Sequence, residues 1–244
     1  MTDFLMVLAI ALFASFLTWL GVPIAERFDV PQRVVSAALQ FAAGIITALV
    51  AFSLMPPAVR GGPYGWIVLA FFTGGVLYVL LEYGSSHVFS SEPAEGAEGA
   101  SSFGLYIGVL ADLLIDGVVI GIGSTLTLTT GLLLALGLAI STAPLAFVTI
   151  STAKRQGMAH NSRRLLGVLL AAFMTLGALL GFLVLRNQPL EIRFILAALA
   201  SGFLITTVVQ GIIPEANREG EPGFAGVLYI GGLSLYALMS LVLK

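Results

Sequence analysis

The amino-acid sequence predicts an all-α polytopic membrane protein with eight transmembrane helices. Its composition is the first observation, because 58% of the 244 residues are hydrophobic and only 10% are charged, whereas soluble domains have about 25% charged residues. The second is the length of the apolar runs, near the roughly 20 residues with which a helix crosses a bilayer. These runs also lack the alternating ten-residue pattern of a transmembrane β-barrel.

Eight apolar segments follow one another and are numbered here as spans 1 to 8. They cover residues 4–22, 33–56, 64–84, 103–125, 129–153, 162–185, 191–213 and 223–243. Proline and glycine clusters between them mark turns. Span 1 is predicted to be a membrane helix rather than a secretion signal, because Asp3 precedes it in place of a basic segment and no small-residue cleavage motif follows.

Lysine and arginine in the connections predict the orientation of the chain. The odd-numbered connections hold seven of these residues, four of them between Lys154 and Arg164, and the other side holds four. Because cytoplasmic loops are enriched in positive charge, both termini are predicted to be extracytoplasmic. The compact length and short loops favour a bacterial inner membrane as the location.

The longest polar segment, residues 85–102, is rich in Ser, Gly, Ala and Glu and has no apolar periodicity. It is predicted to be a flexible cytoplasmic loop. Its acidic residues and His87 are interpreted as part of a solvated linker. The alternative is that they form a tether that collects cations weakly.

An internal repeat relates two parts of the sequence. Residues 42–62 and 200–220, offset by 158 positions, share a P-x-A-x-R-x-G ending. The identical positions include Ala42 and Ala200, Gly44 and Gly202, Pro56 and Pro214, Ala58 and Ala216, Arg60 and Arg218, and Gly62 and Gly220. The two copies cross the membrane in opposite directions in the predicted topology, which is typical of secondary transporters.

This inverted repeat predicts a 3+2+3 arrangement within a single transmembrane domain of residues 1–244. Residues 1–84 form the first repeat, residues 103–153 a central helix pair, and residues 162–244 the second repeat. Secondary transporters place their substrate sites near the midplane between the repeats.

The central pair carries two acids. Asp112 and Asp116 lie four residues apart in span 4, so a helix places both carboxylates on one face. A charge at the bilayer centre costs roughly 2.5–3.5 kcal/mol or more, and intramembrane acids are therefore usually functional. The pair is expected either to bind a cation or, structurally, to share a proton and stabilise the bundle.

The sequence gives less support to other classes of function. A net charge of −2 does not suggest a nucleic-acid surface, and the absence of cysteine excludes a thiolate metal site. His87 and His160 lie in polar segments. We expect no enzyme activity, since an intramembrane aspartyl protease draws its acids from different helices, and no permanently bound cofactor.

The whole chain resembles the ZIP (Zrt/Irt-like) family of divalent-metal transporters. Residues 210–220, QGIIPEANREG, are similar to the family pattern HEIIPE-x-x-R-x-G, and residues 42–58 are similar to AAG…SLLPEA. LGALLG at residues 176–181 is similar to the end of EPLGALLG. The resemblance implies eight spans in a 3+2+3 inverted repeat and transport of divalent cations.

The residues that the family uses as metal ligands are largely replaced. Asp112 and Leu113 stand for the His and Asn of span 4, while Asp116 keeps the acid. In span 5, Ser141 takes the place of the family's first ligand, Thr142 that of its Asn and Leu145 that of its Glu. Pro144 is retained. Met174 takes the place of the span 6 acid, and Gln210 and Gly211 that of His-Glu in span 7. The family's two-metal centre cannot be assembled from these residues.

The resemblance and the acid pair together imply an all-oxygen site for a divalent cation. Asp112 and Asp116 would provide its charge, and Ser141, Thr142 and Gln210 would add neutral oxygens. Such a set favours harder ions such as Mn²⁺, Mg²⁺ or Ca²⁺ over Zn²⁺. Alternatives are a ZIP-like binding or regulatory subunit without transport, and a proton-linked carrier of another substrate.

Two further features have open interpretations. Glu82 and Glu215 are expected to be interfacial residues, with ligands of an exit path as the alternative. Gly177 and Gly181 form a G-x-x-x-G pair, which predicts close packing against another helix of the chain or of a homodimer. Gly117, Gly121 and Gly123 in span 4 predict a second surface for close helix approach.

Overall fold

The computed structural model describes residues 2–28, 30–89, 98–218 and 223–243. Among these residues the only regular secondary structure is helical, and eight helices are long and apolar enough to cross a membrane. The prediction of an all-α protein with eight spans is confirmed.

The observed spans agree with the predicted ones to within a few residues at most ends. They comprise Asp3–Arg27, Gln32–Gly61, Tyr64–Gly84, Tyr106–Leu126, Leu128–Arg155, His160–Leu185, Leu190–Ala216 and Ala225–Val242. Span 1 ends later than expected, because Pro23 lies in the first turn of a second helical segment, Gly21–Arg27. Proline is tolerated there, since its missing N–H would have no partner within the helix.

Helices cover both ends of the predicted loop of residues 85–102. The helix of span 3 runs from Tyr64 to Phe89, and the helix of span 4 begins at Glu98. A helix that leaves the bilayer does not require apolar residues to continue, because water can surround its polar side chains. Residues 90–97 lie outside the described residues.

Glycines set the closest helix contacts. Gly117 and Gly121 of span 4 face the backbone of span 6, and Gly177 and Gly181 of span 6 face the backbone of span 4. A Cβ at any of the four would fall on a carbonyl oxygen of the opposite helix. The G-x-x-x-G pair therefore makes a contact within the chain, and the homodimer alternative no longer has this motif to support it.

Two other pairs of spans meet in the same way. Gly44 and Gly232 bring span 2 against span 8, and Gly74 and Gly202 bring span 3 against span 7. Span 1 packs against span 5 and span 6. Ser15 bonds to Thr175 of span 6 across 2.7 Å.

Span 2 and span 7 each contain one stretch of π-helix. It covers Val50–Leu54 in span 2 and Thr207–Ile212 in span 7, in each case just before Pro56 or Pro214. Proline removes one backbone hydrogen bond and its ring crowds the carbonyl four residues earlier, and a widened turn accommodates both effects. These stretches occupy equivalent positions in the sequence repeat.

One end of the bundle carries most of the cationic residues, and we call it the basic end. Spans 1, 3, 5 and 7 finish there, and spans 2, 4, 6 and 8 begin there. Arg163 binds both carboxylate oxygens of Glu26, at 2.5 and 2.9 Å. Tyr106 donates a hydrogen bond to Gln156, and Gln40 donates one to Asn217.

A single arginine joins three spans at the opposite end. The guanidinium of Arg193 donates to the carbonyl oxygens of Thr125 and Arg186 at 2.8 Å and of Gln188 at 2.9 Å. Thr125 and Arg186 lie at the ends of span 4 and span 6, where helix carbonyls have no partner in their own helix. Arg193 thereby ties span 4, span 6 and span 7 together.

Replacing Arg193 by alanine is expected to lower the thermal stability of the purified protein. Hydrogen bonds from a charged donor contribute about 1.5–3 kcal/mol, so the melting temperature in detergent should fall by several degrees. Arg186→Ala is the matched control, because only the backbone carbonyl of Arg186 takes part in this cluster. Equal melting temperatures for the two variants would contradict the assignment.

Candidate cation site

Asp112 and Asp116 are the two intramembrane acids of span 4. Asp116 lies midway along Tyr106–Leu126 and is only 4% exposed, while Asp112, one turn nearer the basic end, is half-buried. Both face the same cavity. The i, i+4 spacing thus places the two carboxylates on one inward-facing stripe, as the sequence predicts.

The cavity has a volume of about 540 Å³ and lies among spans 2, 3, 4, 5 and 7. Its lining begins at the basic end, with Glu82, Ile107 and Glu215, and extends inward to Asp116, Phe203 and Thr207. The lining residues therefore extend from the basic end to the middle of the bundle.

Span 5 contributes the two hydroxyls predicted for the site. Ser141 and Thr142 both line the cavity and are each 3% exposed. The Ser141 hydroxyl donates to the carbonyl of Leu138 at 2.9 Å, and the Thr142 hydroxyl pairs with that of Thr18 at 2.7 Å. Each oxygen retains lone-pair capacity for a ligand.

Met174 does not belong to the cavity lining. It is fully buried at the contact of span 6 with span 4, and its sulfur accepts a hydrogen bond from Thr18 at 3.4 Å. It supports Thr142 through Thr18 and lies behind the cavity.

Gln210 is not brought to the site. Its side chain is exposed, and the next residue, Gly211, lines the cavity instead. Gln210 lies inside the π-helical stretch, where the wider turn changes the direction in which successive side chains point. Among the span 7 residues that line the cavity, Thr207 carries a hydroxyl group.

Glu82 and Glu215 both line the cavity where it reaches the basic end. Glu215 also forms an ion pair with Arg218 across 3.6 Å. This position is compatible with the expected interfacial role and with the exit-path alternative. The cavity thus has acids at its mouth and acids at its base.

Tyr78 is a site residue that no sequence motif indicated. It lines the cavity from span 3, together with Glu82 and Asp112. Its ring meets the ring of Phe203 edge to face, with centroids 5.2 Å apart. Only the packing of span 3 against span 7 brings the two rings together.

The carboxyl groups of Asp112 and Asp116 have no hydrogen-bond or ion-pair partner among the residues that the structure describes. In the same residues, no group of three or more His, Cys, Asp or Glu side chains could hold a metal ion. The candidate site therefore combines two acids that lack a partner in the described part of the chain with the hydroxyl oxygens of span 5.

A scan against protein-family models finds no matching family, and a search of curated proteins finds no similar sequence. What the chain does must therefore be inferred from its own residues and their arrangement.

Proposed function

We propose that this chain is a secondary transporter of divalent cations with a ZIP-like architecture. Its substrate ion would occupy the cavity at Asp112 and Asp116. The observation that carries the proposal is Asp116, an acid only 4% exposed at the middle of a membrane span, which lines a cavity and has no partner among the residues that the structure describes. Such a group costs free energy unless a cation or a proton occupies it.

Pairwise packing supports the 3+2+3 inverted repeat. The inverted repeat pairs span 1 with span 6, span 2 with span 7, span 3 with span 8, and span 4 with span 5. The contact of span 2 with span 8 then has its counterpart in the contact of span 7 with span 3. The contact of span 1 with span 5 likewise has its counterpart in the contact of span 6 with span 4. All four contacts are present, and the π-helical stretches occupy equivalent positions.

The donor set suits a hard, partly hydrated dication. Two carboxylates and the hydroxyls of Ser141 and Thr142 are all oxygen donors, which suit Mn²⁺, Mg²⁺ or Ca²⁺ more than Zn²⁺. A cavity of about 540 Å³ leaves room for water around the ion. Mg²⁺ and similar ions usually retain several waters in proteins.

The basic end faces the cytoplasm in this proposal, as the excess of lysine and arginine predicts. The structure would then correspond to an inward-facing state, with the cavity reaching the cytoplasmic side. The Arg193 cluster lies at the other end and would hold that side closed. A bacterial inner membrane remains the proposed location.

Uptake into proteoliposomes tests the proposal. Vesicles containing the protein should accumulate Mn²⁺ above empty vesicles, with weaker uptake of Zn²⁺ and Cd²⁺. Asp112→Asn and Asp116→Asn should each reduce the initial rate at least tenfold, whereas Asp3→Asn, at the exposed start of span 1, should not. Equal uptake by full and empty vesicles for Mn²⁺, Mg²⁺, Fe²⁺, Zn²⁺ and Cd²⁺ would refute it.

A second candidate is a ZIP-like membrane subunit that does not transport metal. The observation in its favour is that the described residues offer no group of three metal-binding side chains. It predicts no uptake of any dication and no change in melting temperature when one is added.

A further inference from the structure

The cavity that contains the two acids is larger and more apolar than a site for a metal ion alone requires. Its volume of about 540 Å³ falls in the range of about 300–1,000 Å³ typical of pockets for small organic molecules. Such pockets are lined mainly by apolar side chains, with a few polar groups that fix the ligand. Apolar lining is contributed by Leu39, Ile46, Ile115, Leu145, Leu204 and Ile212.

An aromatic pair lies in the same cavity as the acids. Tyr78 and Phe203 both line it, their rings 5.2 Å apart and inclined at 74°. Asp112 lines the same cavity as this pair. Aromatic faces attract ammonium groups, most strongly where water is excluded.

Asp116 supplies the second requirement of an ammonium site. The residue is only 4% exposed and lines the cavity, and its carboxyl group has no hydrogen-bond partner among the described residues. An alkylammonium group brings up to three N–H donors, and charge-assisted hydrogen bonds to a carboxylate are about twice as strong as neutral ones. A metal ion bound to the same carboxylate would leave the apolar lining unused.

We infer that the cavity binds an organic ammonium ion with an apolar body, a small amphipathic amine. The ammonium group would bind at Asp112 and Asp116, and the apolar body would contact Tyr78, Phe203 and the aliphatic lining. When one of the two acids is protonated, the pair carries one negative charge, which one ammonium group neutralises. The inference rests on the proposed function only in using the same acids as the cation-binding groups.

Calorimetric titration of the full chain in detergent tests this inference with three probes. 2-Phenylethylammonium should bind at least tenfold more tightly than 2-phenylethanol, which has the same body without the charge. It should also bind at least tenfold more tightly than methylammonium, which has the charge without the body. Asp116→Asn should abolish the heat of amine binding. Any heat that remains with this variant measures partition of the amine into the detergent.

Two variants test the contribution of the aromatic pair. Phe203→Leu and Tyr78→Leu should each weaken amine binding at least fivefold more than they weaken Mn²⁺ binding. Phe72→Leu is the matched control, since Phe72 is 70% exposed and is not part of the cavity lining. If one of the two variants fails to fold, the other still gives the comparison.

The two proposals can fail separately. Amine binding without Mn²⁺ binding or uptake would support this inference and refute metal transport. Mn²⁺ binding without amine binding would overturn this inference and leave metal transport intact. Equal affinities for the amine and the alcohol, or amine binding unchanged in Asp116→Asn, would also overturn it.

Discussion

Replacing Asp116 by asparagine is expected to abolish cation binding and, at the same time, to raise the thermal stability of the protein. Asp116 is 4% exposed and has no hydrogen-bond partner among the described residues. A charge at the middle of a membrane span costs roughly 2.5–3.5 kcal/mol by insertion scales. Asparagine keeps the size of the side chain but removes the charge, so the empty protein should melt several degrees higher.

Thermal unfolding in detergent, with and without Mn²⁺, measures both effects. The wild type should be stabilised by Mn²⁺, because a ligand that binds only the folded state raises its stability, whereas Asp116→Asn should show no response. A melting temperature several degrees below that of the wild type would contradict the account. That result would favour the structural alternative, in which the two aspartates share a proton and hold the bundle together.

The second large effect is expected at the contact between span 4 and span 6. In Gly177→Ala the new methyl group would fall on the carbonyl oxygen of Leu114, and backbone atoms cannot move aside as a flexible side chain can. The two helices would have to separate at their most extensive contact. Overpacking of this kind typically costs about 1–3 kcal/mol, and it should also disturb the position of Asp112 and Asp116 on span 4.

Melting temperatures of matched glycine variants test this packing. Gly108→Ala in span 4 and Gly226→Ala in span 8 introduce the same methyl group where no other atom lies within 4 Å. Both should be neutral or slightly stabilising, since alanine favours helix over glycine by up to about 1 kcal/mol. If Gly177→Ala has the same melting temperature as these controls, the close approach of span 4 and span 6 is wrong.

The spans could be predicted closely because lipid imposes a simple rule on the sequence. A helix must present about 20 apolar residues to the bilayer, and the eight runs satisfy that rule. The rule says nothing about helix that continues into water, which explains the early end predicted for span 3 and the late start predicted for span 4. Pro23 was also expected to mark the end of span 1, but it lies within the helical segment Gly21–Arg27.

The acid pair was predictable for a local reason. The spacing of Asp112 and Asp116 within one helix fixes their common face, whatever the rest of the chain does. Ser141 and Thr142 were placed through the family resemblance, and both line the cavity.

The rest of the site depends on features that the sequence does not display. Gln210 was expected to be a ligand, but the π-helical stretch turns Gly211 toward the cavity in its place. Tyr78 and Phe203 lie far apart in the chain and meet only because span 3 packs against span 7. Neither the widened turn nor this pairing leaves a periodic signal in the sequence.

Direct binding of Mn²⁺, followed by electron paramagnetic resonance of the free ion, tests the central claim most directly. The account predicts one Mn²⁺ per chain for the wild-type protein in detergent, and none for the Asp112→Asn/Asp116→Asn double variant, with both proteins folded by circular dichroism. Binding that is absent in the wild type, or unchanged in the double variant, would contradict it.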